Sequence, residues 1–207
     1  RDEESPEIDF PVGHIKALIL THIHLDHCGR IPYLLAAGFK GPIYCSEPSA
    51  KLLPIMVEDS MKLTVGSDRL TVKKVVKAVE QLVVAVPHRK WTIVGSEGLP
   101  DNSKLQTDNL LRFKLQPAGH ILGSSYVELD CYGSRVKSNK LEKQRIVFSG
   151  DLGAPYAPLL PAPKSPYRAD VLVLESTYGD RLHEGRKERR ERLRQIIEMA
   201  LEDRGAI

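Results

Sequence analysis

Apolar residues along this chain come in short runs, and their spacing alternates between two periods. IKALILTH (15–22) is an apolar run that ends abruptly in polar residues, the pattern of a buried strand feeding a loop. RIPYLLAAG (30–38) predicts a short helix closed by Gly38, and PIYCS (42–46) predicts a strand. Residues 47–64 and 70–84 have helical spacing. In the second, Leu70, Val72, Val75, Val76 and Val79 form one side, and Lys73, Lys74 and Lys77 the other. A series of strands follows, at 90–95, 110–117, 125–132, 145–150 and 169–176. The Pro-rich stretch 154–170 predicts a loop. Residues 186–204 predict a helix with Leu193, Ile196, Ile197, Ala200 and Leu201 as its apolar stripe. Strands mixed with helices in this order predict an α/β or α+β fold.

Composition narrows the class. The 207 residues are 42% hydrophobic and 28% charged, which excludes general disorder. No run of about 18 apolar residues occurs, so no transmembrane helix is predicted. The acidic start RDEESPEIDF has no apolar core of a signal peptide. Three cysteines, Cys28, Cys45 and Cys131, make an odd set without a CxxC pair. All three read as core, and a cytoplasmic location is the expectation. The first residue is not Met and the last ones read as a helix cap before a new strand, so a fragment of a longer chain is expected.

Net charge is only +3, but it is unevenly spread. Residues 181–194 hold seven Lys/Arg against three Glu, and residues 133–145 hold five against one. Each segment reads as a solvated helix face or hairpin loop, or as a polyanion contact. In the second reading Arg135, Lys137, Arg186, Lys187, Arg189, Arg190 and Arg194 meet phosphates. No cluster of aromatics suggests base stacking, so backbone recognition is expected.

Chemistry concentrates at predicted strand ends. THIHLDH (21–27) puts His22, His24, Asp26 and His27 within six residues of a buried strand. Neutral imidazole and carboxylate are ligands of open zinc sites, and His-x-His sets two rings on one side of an extended backbone. One such cluster cannot fill two metal sites. His120, in QPAGHILGSS, and Asp151, in VFSGDLG, are the further candidates. His14 and His88 read as structural or surface residues, and His183 lies near the presumed site.

THIHLDH, PAGH and SGD, in that order, resemble the metallo-β-lactamase fold of dinuclear metallohydrolases. LESTYGDR (174–181) resembles the opening of the β-CASP branch, whose members process RNA or DNA. The resemblance is to the group that includes the mRNA 3′-end processing endonuclease and its prokaryotic relatives. It implies an αββα sandwich, incomplete at both termini, with residues 1–176 in the metallo-β-lactamase domain and 177–207 opening the β-CASP domain. It implies that His22, His24 and His120 bind one Zn²⁺, and that Asp26, His27 and Asp151 bind a second, with Asp151 bridging. Mn²⁺ is the alternative ion. Asp26, Asp151 and Glu175 would be the catalytic carboxylates, Glu175 orienting the acid machinery or a ligand histidine. The implied reaction is attack on a phosphodiester of RNA or another single strand by a bridging hydroxide. Family members also carry an early Asp and two later histidines that have no match here. Assembly as a homodimer through segments outside this chain is a further expectation. Three competing functions stand beside the ribonuclease: a DNA nuclease, a small-molecule metallohydrolase and an inactive scaffold.

Overall fold

The computed structural model describes residues 7–64, 68–95, 111–137, 140–180 and 186–202. The chain divides into two compact units, residues 1–175 and 176–207.

The first unit is built on two sheets. Strands β1 (Leu18–Ile19), β2 (Ile43–Ser46) and β3 (Val83–Val86) form a parallel sheet in that order. Helices α1 (Leu25–Cys28), α2 (Ile31–Ala36), α3 (Glu47–Thr64) and α4 (Arg69–Leu82) connect them. The second sheet runs β4 (Trp91–Ile93), β5 (Leu111–Pro117), β6 (Ser125–Lys137), β7 (Lys140–Phe148) and β8 (Val171–Val173). Its first four strands are antiparallel and β8 joins β7 in parallel.

Strand β2 shows how the layers form. Side chains alternate across a strand. Ile43 and Cys45 pack with Leu53, Val57, Val72 and Val79 of the helices, while Tyr44 packs with Phe113, Leu115 and Val127 of the second sheet. All of these residues are buried. One helical layer and two sheets are thereby stacked, three of the four layers of an αββα sandwich.

Two elements differ from the sequence pattern. The helix expected to reach residue 84 stops at Leu82, and Val83–Val86 becomes the third strand, paired with β2. A β-branched run before Pro87 disfavours helix, and the β2 edge offers backbone partners. Leu70, expected on the buried stripe of α4, is 61% exposed. Asp68 caps the start of the helix, its carboxylate accepting from Leu70 N at 2.8 Å and Thr71 N at 3.1 Å.

Within the segment read as a hairpin loop, residues 133–137 and 140–145 are strand, the paired ends of β6 and β7, with a register shift between Tyr132 and Val136. At its end Arg145 is not free for phosphate. Its Nε donates to Asp130 Oδ1 at 2.6 Å, and Asp130 is fully buried. Arg112, opposite on β5, donates to the same carboxylate at 3.0 Å. Lys114 pairs with Glu128 at 2.9 Å in the next row.

In the second unit, α5 (Arg186–Glu202) forms where expected. Leu193, Ile196 and Leu201 of its apolar stripe are exposed. No helix among the described residues is long and apolar enough to cross a membrane.

Candidate metal centre

The site begins where β1 gives out. Leu20 N still donates to Tyr44 O, 2.8 Å, but Thr21 O accepts from Ser125 N of the second sheet, also at 2.8 Å. The chain thus crosses between sheets at the residue before His22. His24 is extended, with φ −62° and ψ 150°, and serves as the N-cap of α1. The single turn of α1 then carries Asp26 and His27.

Four ligand atoms converge. His24 Nδ1 lies 3.2 Å from His22 Nε2 and 3.0 Å from His120 Nε2. Asp151 Oδ2 lies 3.7 Å from His22 Nε2 and 3.5 Å from His120 Nε2. A tetrahedral zinc with bonds of 2.0–2.1 Å separates its ligands by about 3.4 Å, so this set fits a zinc-sized cation. A second set is smaller and more open. His27 Nε2 lies 3.2 Å from Asp151 Oδ1 and 3.4 Å from Asp26 Oδ2. Asp151 therefore offers one oxygen to each set, which is the disposition of a bridging ligand. Both sets hold their ligand atoms within 4.8 Å of one another.

Burial grades across the site. His22 is fully buried, while the Asp26 side chain is 76% exposed. Burial pushes the His22 pKa down to about 4, with the nearby His27 acting the same way and Asp151 opposing. A neutral imidazole keeps a nitrogen lone pair for a metal.

Hydroxyls hold the ligand turns. The turn 119–124 carries His120, and Ser124 Oγ accepts from His120 N at 2.9 Å and Ile121 N at 3.1 Å. Gly123 O accepts from Ser46 Oγ at 2.6 Å and Ser125 Oγ at 3.1 Å. Gly123 itself has φ +84°, a backbone only glycine adopts freely, and a Cβ there would meet Ser46 Oγ at 2.8 Å. The Asp151 turn is held from the segment just after β8. Glu175 Oε1 accepts from Leu152 N at 2.6 Å, and Glu175 N donates to Ser149 Oγ at 2.9 Å. Glu175 thus acts on Asp151 through the backbone beside it. The sequence reading left out Thr21, Ser46, Ser124, Ser125 and Ser149. Only Ser124 and Ser125 carried a signal, the run of small residues after His120.

The remaining candidates separate. His14 is exposed, and His88 is half-buried with Nε2 2.8 Å from Ser125 Oγ, a structural post. Cys28 donates to Ile23 O at 3.2 Å, and burial raises its thiol pKa to about 11. Cys45 is also buried, but Cys131 is only half-buried, at the edge of the expected core. Arg189 and Arg190 are exposed on α5. Arg194 is exposed but held at 2.6 Å by both Glu191 and Glu198 of its own helix. His183 and the side chains of Arg135, Lys137, Arg186 and Lys187 lie outside the described residues.

Known proteins bear on this geometry. The metallo-beta-lactamase superfamily model matches residues 2–101, the part that contains His22 to His27. Ribonuclease TTHA0252 of Thermus thermophilus is 30% identical over 198 residues, 96% of this chain and 40% of that protein. This chain belongs to the metallo-beta-lactamase superfamily. Its relatives place it in the β-CASP branch of that superfamily. Integrator complex subunit 11 of Danio rerio is 29% identical over 178 residues, 84% of this chain and 26% of that protein. Transcription termination factor FttA of Methanocaldococcus jannaschii is 30% identical over 213 residues, 99% of this chain and 30% of that protein. The chain spans less than half the length of these relatives.

Proposed function

We propose that this chain carries the metal-ligand half of a zinc-dependent ribonuclease that acts in RNA processing. Residues 1–176 are the metallo-β-lactamase domain and 177–207 open a β-CASP domain, a reading supported by the division after Glu175. The observation that carries the function is Asp151, whose two oxygens face two separate ligand sets.

His22, His24, His120 and Asp151 Oδ2 would hold one ion. Asp26, His27 and Asp151 Oδ1 would hold the other. Once bound, such a pair supplies charge neutralisation on a phosphate and a water acidic enough to attack phosphorus near neutral pH. The chain's own residues do the rest. Burial keeps His22 neutral, Glu175 fixes the Asp151 turn, and the exposed Asp26 side marks where a phosphodiester enters. Ordinary RNA phosphates need this help because their negative charge repels a nucleophile.

The test uses the full-length protein beside His24→Ala and Asp151→Asn. Zinc per chain is measured by elemental mass spectrometry, and cleavage is followed on end-labelled RNA and matched single-stranded DNA. About two zinc per chain, reduced in both variants, with RNA cut by the wild type alone, is the expected result. Preferential cutting of DNA would favour the DNA-nuclease reading. Zinc binding without cleavage of either would favour a small-molecule hydrolase or a scaffold. A wild type that binds no zinc would overturn the metal centre.

A further inference from the structure

One residue beside the ligands touches every segment that carries them. Thr21 Oγ1 lies 3.2 Å from His22 Nδ1. Its backbone carbonyl accepts from Ser125 N, at the end of the His120 turn. Gly150, the residue before Asp151, sits against its side chain so closely that a Cβ there would lie 2.8 Å from Thr21 Cβ. Gly150 has φ +52°, so the turn bends around the threonine.

We propose that Thr21 is a positioning residue of the metal centre, its hydroxyl selecting the tautomer of His22 and its side chain seating the Asp151 turn. The inference rests on the metal-centre reading above. A neutral imidazole carries its proton on one nitrogen and a lone pair on the other. His22 Nε2 faces His24 Nδ1 and Asp151 Oδ2, so that nitrogen must keep the lone pair to bind a metal. The proton then sits on Nδ1. His22 is fully buried, so no bulk solvent takes up this N–H. Thr21 Oγ1 is placed to accept it. Without the hydroxyl, the metal-competent tautomer leaves a buried donor unpaired, and the competing tautomer gains.

Thr21→Val removes the hydroxyl and keeps the branched shape, while Thr21→Ser keeps the hydroxyl and drops the methyl. Zinc affinity is measured on the full-length protein by competition with a chromophoric chelator. The His22 tautomer is read separately from imidazole ¹⁵N shifts of the metal-free protein at pH 8. Thr21→Val is expected to bind zinc about 10–100-fold more weakly, with the His22 proton shifted toward Nε2. Thr21→Ser should restore both. Wild-type zinc affinity and an unchanged tautomer in Thr21→Val would overturn the proposal and leave the metal centre standing. A wild type that binds no zinc would overturn the metal centre itself, and this inference with it. If circular dichroism shows Thr21→Val unfolded, Thr21→Ala is compared with Thr21→Ser. Both lack the methyl and differ only in the hydroxyl, so equal affinity there would be equally fatal.

Discussion

Asp130 shows why a basic run is a poor guide to a binding face. Arg145 belongs to the segment with five cations against one anion, yet its guanidinium is bound to a carboxylate 15 residues earlier. Burial alone would raise the Asp130 pKa, but hydrogen bonds from Arg145 and Arg112 outweigh it and hold the group below its ordinary range. A carboxyl with a depressed folded pKa contributes stability that is present above its unfolded value, about 3.9, and is lost as pH falls through the folded one. Asp130→Asn removes the carboxylate that Arg145 binds most closely and leaves it Glu128, 3.6 Å away, as an acidic partner. It should cost about 3–5 kcal/mol in urea unfolding at pH 7. The gap to wild type should narrow as the pH drops below the carboxylate range. Equal stability at pH 7 would show that the ion row adds nothing.

At the level of elements, the candidate ligands sit on turns that two sheets press together. Gly153 N donates to Ala118 O at 2.8 Å, and a Cβ on Gly153 would fall on Gly119 O. Gly153→Ala should therefore push the Asp151 turn off the His120 turn. The expected outcome is a stability loss of about 1–3 kcal/mol, with zinc affinity falling alongside. Gly13→Ala, where nothing lies within 4 Å of the added methyl, is the control. Matching zinc affinities for the two variants would show that the turns adapt freely. The same contacts explain what could be read without a structure. His22, His24, Asp26 and His27 were legible because a short local pattern carries them, His120 and Asp151 because each stands at a strand end among small residues, and the family resemblance added only how the six would divide between two ions. The hydroxyl cradle was not, since Ser46 reaches Gly123 across 77 residues and nothing in a serine's neighbours announces such a bond. Helices α3 and α5 were legible from their period. Strand β3 was not, because its valines continue the helical spacing of α4 until pairing with β2 overrides it.

For the whole molecule, the open question is whether α5 meets nucleic acid. Its basic residues are not equivalent. Arg194 is exposed but braced at 2.6 Å by both Glu191 and Glu198 of its own helix, and Arg189 and Arg190 are exposed. Each phosphate contact on a single strand contributes about 0.7 to the slope of log affinity against log salt. If Arg189 and Arg190 each meet one phosphate, removing both as Arg189→Gln with Arg190→Gln should lower the slope by about 1.4. Arg194→Gln should change it little, since that guanidinium is already engaged. The measurement is RNA affinity of the full-length protein by fluorescence anisotropy across a series of salt concentrations. A slope unmoved in the double variant would mean that α5 is a solvated face, and that any phosphate contacts come from elsewhere in the protein. A slope lowered equally by Arg194→Gln would mean that its glutamate pairs open when RNA binds, and the helix would then present all three arginines.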